Sequence, residues 1–298
     1  SFRQDGKLIV AGDATGLVQI FDVNSRAILR TLRGHDGATR VTHFFPGGKQ
    51  VLSGSDDKTV KVWDVSTETT IKTYDAHSDH IRSALISPDN SNIIVSSSYD
   101  RTIKFWDTRS NGEVTQMELK QGEPVETMMF FPGSRLLVSA GGNEIKIWDI
   151  LSGGKLLQTL SNHQKTITSM TFDASSTRLL TGSLDQQVKI YDTADFSVLH
   201  SLKYPGPVEC VAVSPDDNHL IVGTHTGLLS MRQKFSKTEL PKALENNSTP
   251  HRSSGDYRRR GLNSIPDANE VIIESRQRQR LRPYDKLLKS FKYGAAFR

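Results

Sequence analysis

Four short segments of the chain alternate apolar and polar residues with a period of two. They read TVKVW (59–63), TIKFW (102–106), EIKIW (144–148) and QVKIY (187–191). This alternation places successive side chains on opposite faces of a β-strand, and the branched apolar residues favour the same structure. Turns rich in Pro, Gly and Asn precede further apolar runs, as in FPGGKQVLSG (45–54) and SPDNSNIIVSS (87–97). No unit has the periodicity of a helix, so the pattern predicts an all-β chain of short strands.

These segments recur with a nearly constant period. Aromatic–aspartate pairs end them, at Phe21-Asp22, Trp63-Asp64, Trp106-Asp107, Trp148-Asp149 and Tyr191-Asp192. Successive aromatic residues lie 42, 43, 42 and 43 positions apart. This period resembles the WD40 repeat of about 40–45 residues, which forms a four-stranded blade of a β-propeller. Because one such sheet cannot bury both faces alone, the blades are expected to stack around an axis.

Six blades are recognisable, and we expect residues 1–235 to form the propeller. Four complete units cover about residues 37–75, 80–119, 124–161 and 166–202. The first unit (1–32) lacks most of its inner strand, and the last (206–232) has no obvious outer strand. Incomplete units at both ends predict seven blades in the full protein. We expect sequence upstream of Ser1 to supply the missing blade and the outer strand of the last one.

Three units carry the residues of a buried polar relay. WD40 repeats link a loop histidine, a turn aspartate, a strand serine or threonine, and an aromatic residue. The matching positions are His35, Asp57, Ser53 and Trp63; His77, Asp100, Ser96 and Trp106; and His163, Asp185, Thr181 and Tyr191. A buried carboxylate needs donors, which imidazole, hydroxyl and backbone N–H groups provide. Tyr191 has no indole N–H, so its place in the third relay is doubtful.

The unit with the sequence SAGGNEIKIWD departs from the others. Gln121 stands where the relay units have histidine, and Gly142 stands where they have aspartate. In the last unit the same two positions hold Tyr204 and Thr226. Histidine and aspartate are therefore present together or absent together, as expected for a buried pair whose members would be costly alone. Gly141-Gly142 predicts a shortened turn that relies on backbone freedom.

The same histidines and aspartates do not favour enzyme chemistry. Each histidine belongs to a different blade, so the three should not converge on one metal ion. The chain has no nucleophile motif, P-loop or G-x-G-x-x-G fingerprint. We therefore expect no catalytic residues, no metal, no cofactor and no small-molecule substrate. No apolar run approaches eighteen residues, so the sequence predicts no membrane span.

A rim of candidate partner-binding residues follows from the resemblance to WD40 propellers. Partners of that family often contact residues at the start of the innermost strands and just before the turn aspartate. The corresponding rim positions are Arg40, Arg82, Glu126, Thr168, Glu209, Asp56, Tyr99 and Leu184. Tyr and Arg are enriched in binding hot spots, which favours Tyr99 and the arginines as anchors. The alternative is that all eight are ordinary solvated residues.

Composition changes after about residue 235, where the positive charge is concentrated. Residues 236–298 contain 14 Lys and Arg against 7 Asp and Glu, whereas residues 1–235 contain 24 against 26. We predict a basic flexible linker over 236–282 and an amphipathic helical segment over 283–298 that leads to a further domain. Candidate RNA-binding residues are Arg258, Arg259, Arg260, Arg276, Arg278, Arg280 and Arg282. A solvated tail, a nuclear import signal or a protein contact are the alternatives.

The order of these parts resembles one WD40 family in particular. FRQDGKLIVAGDATGLVQIFD (2–22), GEPVETMMFFPGSRLLVSAGGNEIKIWD (122–149) and the tail segment YDKLLKSFKYGAAF (284–297) resemble the U3 small nucleolar RNA-associated protein 15 family. Members of that family are non-enzymatic subunits of the UtpA complex, which is part of the small-subunit processome in the nucleolus. The resemblance implies other WD40 subunits and the 5′ external transcribed spacer of pre-ribosomal RNA as partners. It also implies roles in 18S rRNA maturation and ribosomal DNA transcription.

A more general reading of the repeats is a WD40 adaptor, such as a ubiquitin-ligase substrate receptor or a chromatin-associated platform. A receptor usually has a separate docking domain, for example before the propeller; none is visible in residues 1–298, and we expect further sequence upstream of Ser1. Cys210 is the only cysteine, so the chain cannot form an internal disulfide, which weakly favours a reducing compartment.

Overall fold

The computed structural model describes residues 1–75, 77–110, 117–133, 135–233 and 270–273, and these residues form six antiparallel sheets. In each sheet the strands follow chain order from the inside of the ring to the outside. Within the described residues the chain contains strands, turns and bends and no helix, so the predicted all-β propeller with six visible blades is confirmed. The count of seven blades in the full protein stays a prediction.

The strands divide among the blades as follows. Blade I contains β1 (Leu8–Gly12), β2 (Val18–Asp22) and β3 (Ile28–Leu32). Blade II contains β4 (Thr39–Phe44), β5 (Gln50–Ser55), β6 (Thr59–Asp64) and β7 (Thr70–Asp75). Blade III contains β8 (Ile81–Ile86), β9 (Ile93–Ser98), β10 (Thr102–Asp107) and β11 (Met117–Lys120).

The remaining blades repeat the same four-stranded plan. Blade IV contains β12 (Val125–Phe130), β13 (Leu136–Gly141), β14 (Glu144–Asp149) and β15 (Lys155–Leu160). Blade V contains β16 (Ile167–Phe172), β17 (Arg178–Ser183), β18 (Gln187–Asp192) and β19 (Val198–Lys203). Blade VI contains β20 (Val208–Val213), β21 (His219–Thr224), β22 (Leu229–Gln233) and β23 (Glu270–Ile273).

The hydrophobic core consists of five apolar layers, one between each pair of neighbouring blades. The layer between blades II and III, for example, joins Leu52 and Tyr74 to Ile81 and Trp106. Equivalent layers lie between blades I and II, III and IV, IV and V, and V and VI. In four of the five layers the aromatic residue of the repeat packs against the preceding blade. The blades are therefore held by burial against their neighbours, as expected for stacked repeats.

The innermost strands pack side by side around the ring axis without forming a common sheet. β4, β8, β12, β16 and β20 contact one another in succession. Side chains bridge their backbones: the Thr168 hydroxyl donates to the Val208 carbonyl at 2.8 Å, and the Ser169 hydroxyl accepts from the Val211 N–H at 3.2 Å. Among the described strands, β20 and β1 make no comparable contact, so blades I and VI form the two ends of the series.

The outer strand of blade VI comes from a place that the sequence prediction missed. β23 pairs antiparallel with β22, Glu270 lying opposite Arg232 and Ile273 opposite Leu229. The strand is therefore downstream of blade VI, inside the segment predicted to be a linker, and the expectation of an upstream strand was wrong. Its run EVII contains three branched apolar residues. It escaped notice because it is short and follows β22 only after the 36 residues from 234 to 269.

Candidate partner-binding rim

The rim lies at the end of the blades where two kinds of connection meet. The turns between the second and third strands and the loops that precede the innermost strands both emerge there. In blade II the turn contains Asp56, Asp57 and Lys58, and Lys58 has a φ of 71°. Arg101 and Gln186 repeat this positive φ in blades III and V. A three-residue turn that ends in a left-handed residue is common in hairpins, and here it directs the preceding aspartate inward.

In blade II the relay residues form a continuous chain of hydrogen bonds. His35 Nδ1 lies 2.7 Å from Asp57 Oδ2, His35 Nε2 lies 2.7 Å from Ser53 Oγ, and Trp63 Nε1 donates to Ser53 Oγ at 2.7 Å. The backbone N–H and the hydroxyl of Thr59 also donate to Asp57. The carboxylate therefore has donors on both oxygens, which meets the requirement for burying it.

Blade III repeats the geometry. His77 Nδ1 lies 2.8 Å from Asp100 Oδ2 and His77 Nε2 lies 2.7 Å from Ser96 Oγ, to which Trp106 Nε1 donates at 2.8 Å. Hydrogen bonds from His77 and Thr102 outweigh the burial that opposes ionisation, and they hold the pKa of Asp100 well below its usual value. The carboxylate therefore stays ionised at neutral pH.

The relay of blade V is shorter by one link. His163 lies 2.8 Å from Asp185 and 2.7 Å from the Thr181 hydroxyl. Tyr191 is fully buried near Thr181, but within the described part of the chain its hydroxyl makes no hydrogen bond of normal geometry. Burial raises the pKa of Tyr191 to about 12. The tyrosine therefore contributes packing, and the polar connection ends at Thr181.

Burial also sets the charge of the histidines. It lowers the pKa of His35 and of His163, and the neighbouring aspartates Asp57 and Asp185 only partly offset this effect. At neutral pH each of these two pairs is a neutral imidazole beside an ionised carboxylate. Their donors and acceptors are engaged within the blades, so the hydrogen bonds of the relays serve to fix the turns.

Blade IV replaces the relay with a shorter polar chain that the sequence did not predict. Trp148 Nε1 donates to Ser139 Oγ at 2.8 Å, and Ser139 Oγ donates to Gln121 Oε1 at 2.7 Å. Gln121 is fully buried, and Lys146 Nζ donates to its backbone carbonyl at 2.5 Å. The glutamine thus accepts the hydrogen bond that histidine accepts elsewhere, and no aspartate is needed. The signal was in the sequence, since Gln121 occupies the histidine position.

The glycine turn of blade IV fits closely against this glutamine. Gly141 pairs with Glu144, so Gly142-Asn143 forms a two-residue loop, with a φ of 55° at Gly142. A Cβ at Gly141 would lie 2.7 Å from Gln121 Cγ and 3.0 Å from the Glu123 carbonyl oxygen. Backbone freedom at Gly142 and lack of space at Gly141 therefore explain the two glycines separately.

We expect Gly141→Ala to lower the free energy of unfolding by roughly 1–3 kcal/mol, because the added methyl group would lie 2.7 Å from Cγ of the fully buried Gln121 and close to two backbone carbonyl oxygens. Gly142→Asn is the matched control. Asparagine tolerates a positive φ, and the nearest atoms to a Cβ there are 3.3 Å away on the Glu123 side chain, so a much smaller loss is expected. Urea unfolding of both variants provides the comparison. Equal losses of stability would show that the backbone conformation of the turn, and not the lack of space beside Gln121, determines which residues are tolerated at position 141.

Five of the eight predicted rim residues form one charged cluster on blades II to IV. Arg40 donates to Asp56 Oδ2 through Nε at 2.8 Å and Nη2 at 2.6 Å. Arg82 Nε donates to Glu126 Oε2 at 3.2 Å, and the Tyr99 hydroxyl donates to Glu126 Oε1 at 2.7 Å. The Arg82 guanidinium lies 5.2 Å from the centroid of the Tyr99 ring. Burial and the bond to Glu126 raise the pKa of Tyr99 to about 12.

His80 joins the two halves of this cluster, although the sequence gave no reason to single it out. Its Nδ1 lies 2.7 Å from the Asp56 carbonyl oxygen, and its ring lies 6.5 Å from that of Tyr99. Rotamers fixed in this way lose little entropy when a partner binds.

The other three predicted rim residues lie apart from the cluster. The Thr168 hydroxyl donates to the carbonyls of Gly182 and Val208, so this residue connects blades V and VI. Glu209 is exposed and lies 3.1 Å from His225 Nδ1. Leu184 is half-buried beside the turn of blade V. The predicted RNA-binding arginines, from Arg258 to Arg282, lie outside the described residues.

Metal sites and membrane spans are two further features that the described residues bear on. Among the described residues, no group of three or more His, Cys, Asp or Glu side chains could hold a metal ion. In the same part of the chain no helix is long and apolar enough to cross a membrane.

Comparison with known proteins identifies the repeats independently of the geometry. The family described as "WD domain, G-beta repeat" matches residues 26–64, 68–107 and 154–192. Each matched stretch contains one of the three histidine–aspartate relays. The unit with Gln121 and Gly142 lies between the second and third matches.

Similarity to individual proteins extends much further along the chain. It is 38% identical over 296 residues to "U3 small nucleolar RNA-associated protein 15 homolog" of Gallus gallus, covering 99% of this chain and 56% of that protein. The Homo sapiens homolog is 39% identical over 298 residues, with the same coverage. "U3 small nucleolar RNA-associated protein 15" of Schizosaccharomyces pombe is 41% identical over 305 residues, covering 99% of this chain and 60% of that protein. The chain thus spans between half and two thirds of the length of these relatives.

Proposed function

Since this chain is made of WD40 repeats and resembles U3 small nucleolar RNA-associated protein 15 of several organisms at 38–41% identity, we propose that it acts in ribosome biogenesis as a non-enzymatic scaffold. One observation carries the proposal. The similarity covers 99% of the chain and therefore includes residues 236–298, which lie beyond the repeats. WD40 adaptors in general share the repeats, but they have no reason to share that segment.

The finer proposal concerns the assembly and its RNA. We infer that the chain is a subunit of the UtpA complex in the nucleolus, among other WD40 subunits of the small-subunit processome. There it assists processing of the 5′ external transcribed spacer and maturation of 18S rRNA, with a linked role in ribosomal DNA transcription. The hydrogen bonds of the relays support a scaffold role, because the buried imidazoles and carboxylates bind to one another and hold the turns of the blades in place.

The uneven distribution of charge along the chain suggests that RNA and proteins contact different segments. Residues 236–298 carry the excess of cations, whereas residues 1–235 have slightly more acidic than basic side chains. Phosphate binding requires cations, so we assign RNA contact to the arginines from Arg258 to Arg282. We assign protein contact to the rim cluster of blades II to IV, where Arg82, Tyr99 and Glu126 are already ordered.

Ultraviolet crosslinking in cells that express the full-length protein tests this assignment. We expect crosslinked pre-rRNA reads from the 5′ external transcribed spacer. Replacing Arg258, Arg259 and Arg260 together by alanine should reduce these reads several-fold, because each lost phosphate contact weakens binding. The control replaces Arg26 and Arg33, two exposed arginines in blade I and directly after it, and should leave the reads unchanged. Absence of pre-rRNA reads together with a nucleoplasmic location would favour the general WD40 adaptor instead.

Proteins that co-purify in the same experiment test the rim. Arg82→Ala with Tyr99→Ala should reduce the recovery of other processome proteins while the RNA reads persist. Arg30→Ala is the control, since Arg30 is also ion-paired, at 3.3 Å to Glu68, but on the outer strand of blade I. Unchanged recovery of every partner with the rim variant would remove the rim from the proposal.

A further inference from the structure

Blade VI differs from the other blades at every relay position. Tyr204 and Thr226 replace histidine and aspartate. The strand register shows two further replacements. Leu220 lies opposite Arg232, just as Leu179 lies opposite Tyr191 in blade V, so an arginine occupies the position of the repeat aromatic. By the same register Val222 takes the place of the relay hydroxyl. The contact between blades V and VI therefore uses different residue types from the contacts between the other blades.

Arg232 is held against an aromatic ring at this contact. Its guanidinium carbon lies 5.2 Å from the centroid of the Tyr204 ring, and Tyr204 is almost fully buried. This arrangement is a cation–π interaction, which is stronger where water is excluded. In the other blades an uncharged ring packs against the preceding blade at this place. Blade VI instead places a fixed positive charge there.

A cavity of about 300 Å³ opens beside Arg232, between blades V and VI. It lies at the end of the blades opposite the rim, near the turns that join the first and second strands. Five aliphatic side chains form its apolar walls, namely Leu180, Ile190, Leu202, Val213 and Leu220. The volume is at the lower end of the range for ligand cavities and is sufficient for one or two side chains.

The two aspartates at the cavity already have structural partners. Asp173 accepts hydrogen bonds from the hydroxyls of Ser175 and Thr177 and from the backbone N–H of Arg178. Asp217 accepts from backbone N–H groups at positions 174 and 175, at 2.7 and 3.2 Å. These hydrogen bonds fix the two turns. Because both carboxylates already accept them, we do not assign either aspartate to ligand binding.

The cavity wall also carries donors that could meet an anion. Arg178 is exposed at its edge, and in the described part of the chain its guanidinium makes no ion pair and no side-chain hydrogen bond. His219 lies on the opposite wall, and Arg232 lines the cavity between them. A ligand that places a carboxylate at Arg178 and an aliphatic group between the leucines would match both properties of the cavity.

We propose that this cavity binds a short peptide segment of a partner protein, in which an acidic residue stands beside an aliphatic side chain. A single-stranded RNA is the less suitable ligand, because its bases are bound by stacking and the walls between the blades are aliphatic. This site is distinct from the rim, which lies at the other end of the blades. It does not depend on the proposed role in ribosome biogenesis.

A selection from random twelve-residue peptides displayed on phage tests the proposal with the whole chain as bait. We expect the enriched peptides to place Asp or Glu next to Leu, Ile, Val or Met. Labelled copies of these peptides should bind Arg178→Glu roughly tenfold more weakly, as measured by fluorescence polarisation. Gln50→Glu is the matched control, because Gln50 lies opposite Asp64 in blade II as Arg178 lies opposite Asp192 in blade V. It should change binding less than twofold.

Three results would overturn the proposal. The first is a set of enriched peptides that either lack acidic residues or bind Arg178→Glu as tightly as the wild-type chain. The second is displacement of the bound peptide by a short oligouridylate, which would make the cavity an RNA site. The third is binding of the selected peptides that becomes several-fold tighter when Glu239, Leu240, Leu244 and Glu245 of this chain are all replaced by alanine, which would assign the cavity to its own sequence.

Discussion

Replacing Trp106 by alanine is expected to lower the free energy of unfolding by about 3–5 kcal/mol. The indole is 1% exposed and packs in the apolar layer between blades II and III, with its ring 5.2 Å from that of Tyr74. Removal leaves a large cavity in a layer that both blades share and deprives Ser96 of a donor. Urea unfolding followed by circular dichroism measures the loss.

Two controls separate packing from polarity in that experiment. Trp106→Phe keeps most of the apolar volume but loses the hydrogen bond to Ser96, so a loss of about 1–2 kcal/mol is expected. Leu151→Ala removes a side chain that is 67% exposed and should change stability by less than about 0.5 kcal/mol. If Trp106→Ala were as mild as Leu151→Ala, the layers between blades would not be what holds the ring together.

Replacing Asp100 by alanine is expected to cost about 3–5 kcal/mol, because several donors that the carboxylate satisfies are left without an acceptor. Four donors lose their acceptor: His77 Nδ1 at 2.8 Å, the Ser78 N–H at 3.1 Å, and the N–H and hydroxyl of Thr102 at 2.9 and 2.6 Å. The turn and the loop that meet at the carboxylate should then separate. Asp75→Ala removes an exposed carboxylate of blade II and provides the matched control.

Acid titration distinguishes the lost charge from lost packing at Asp100. Its pKa in the folded protein lies below the usual value of 3.8. The ionised carboxylate therefore contributes stability above about pH 4, and this contribution is lost as the pH falls further, because the unfolded chain takes up the proton first. Unfolding free energies should converge for the wild type and Asp100→Ala as the pH is lowered below 4. A constant difference at all pH values would mean that the carboxylate charge does not contribute.

Much of the fold could be predicted because the spacing and the alternation of residues within the repeat determine the geometry of a blade. The spacing between Trp63 and Trp106 fixes the length of a blade, and the alternation around Lys61 and Lys104 fixes which side chains face the neighbouring sheet. The joint presence of His77 and Asp100 could be read as a pair because burial penalises either residue alone. These are local properties, repeated several times, and each copy supports the others.

The features that could not be predicted depend on contacts between distant parts of the chain. Gln121 accepts from Ser139 only because its loop returns to the same depth as the histidine loops. Arg232 could be recognised as the counterpart of a tryptophan, but its position over Tyr204 and the cavity beside it require the packing of two blades. The cluster of Arg82, Tyr99 and Glu126 likewise joins blades III and IV, which no spacing within one repeat reveals.

The long connection in blade VI affects how the last strand is joined to its sheet. In blades II, IV and V five residues separate the third strand from the fourth, whereas 36 separate β22 from β23. Pairing strands that are separated by 36 rather than five residues costs roughly 1.5–2 kcal/mol more in chain entropy, since the separation doubles nearly three times and each doubling costs about 0.6 kcal/mol. The hydrogen bonds between β22 and β23 should therefore open more readily than their counterparts in the other blades. Amide hydrogens of β22 that face this strand would be among the first in the propeller to exchange with solvent.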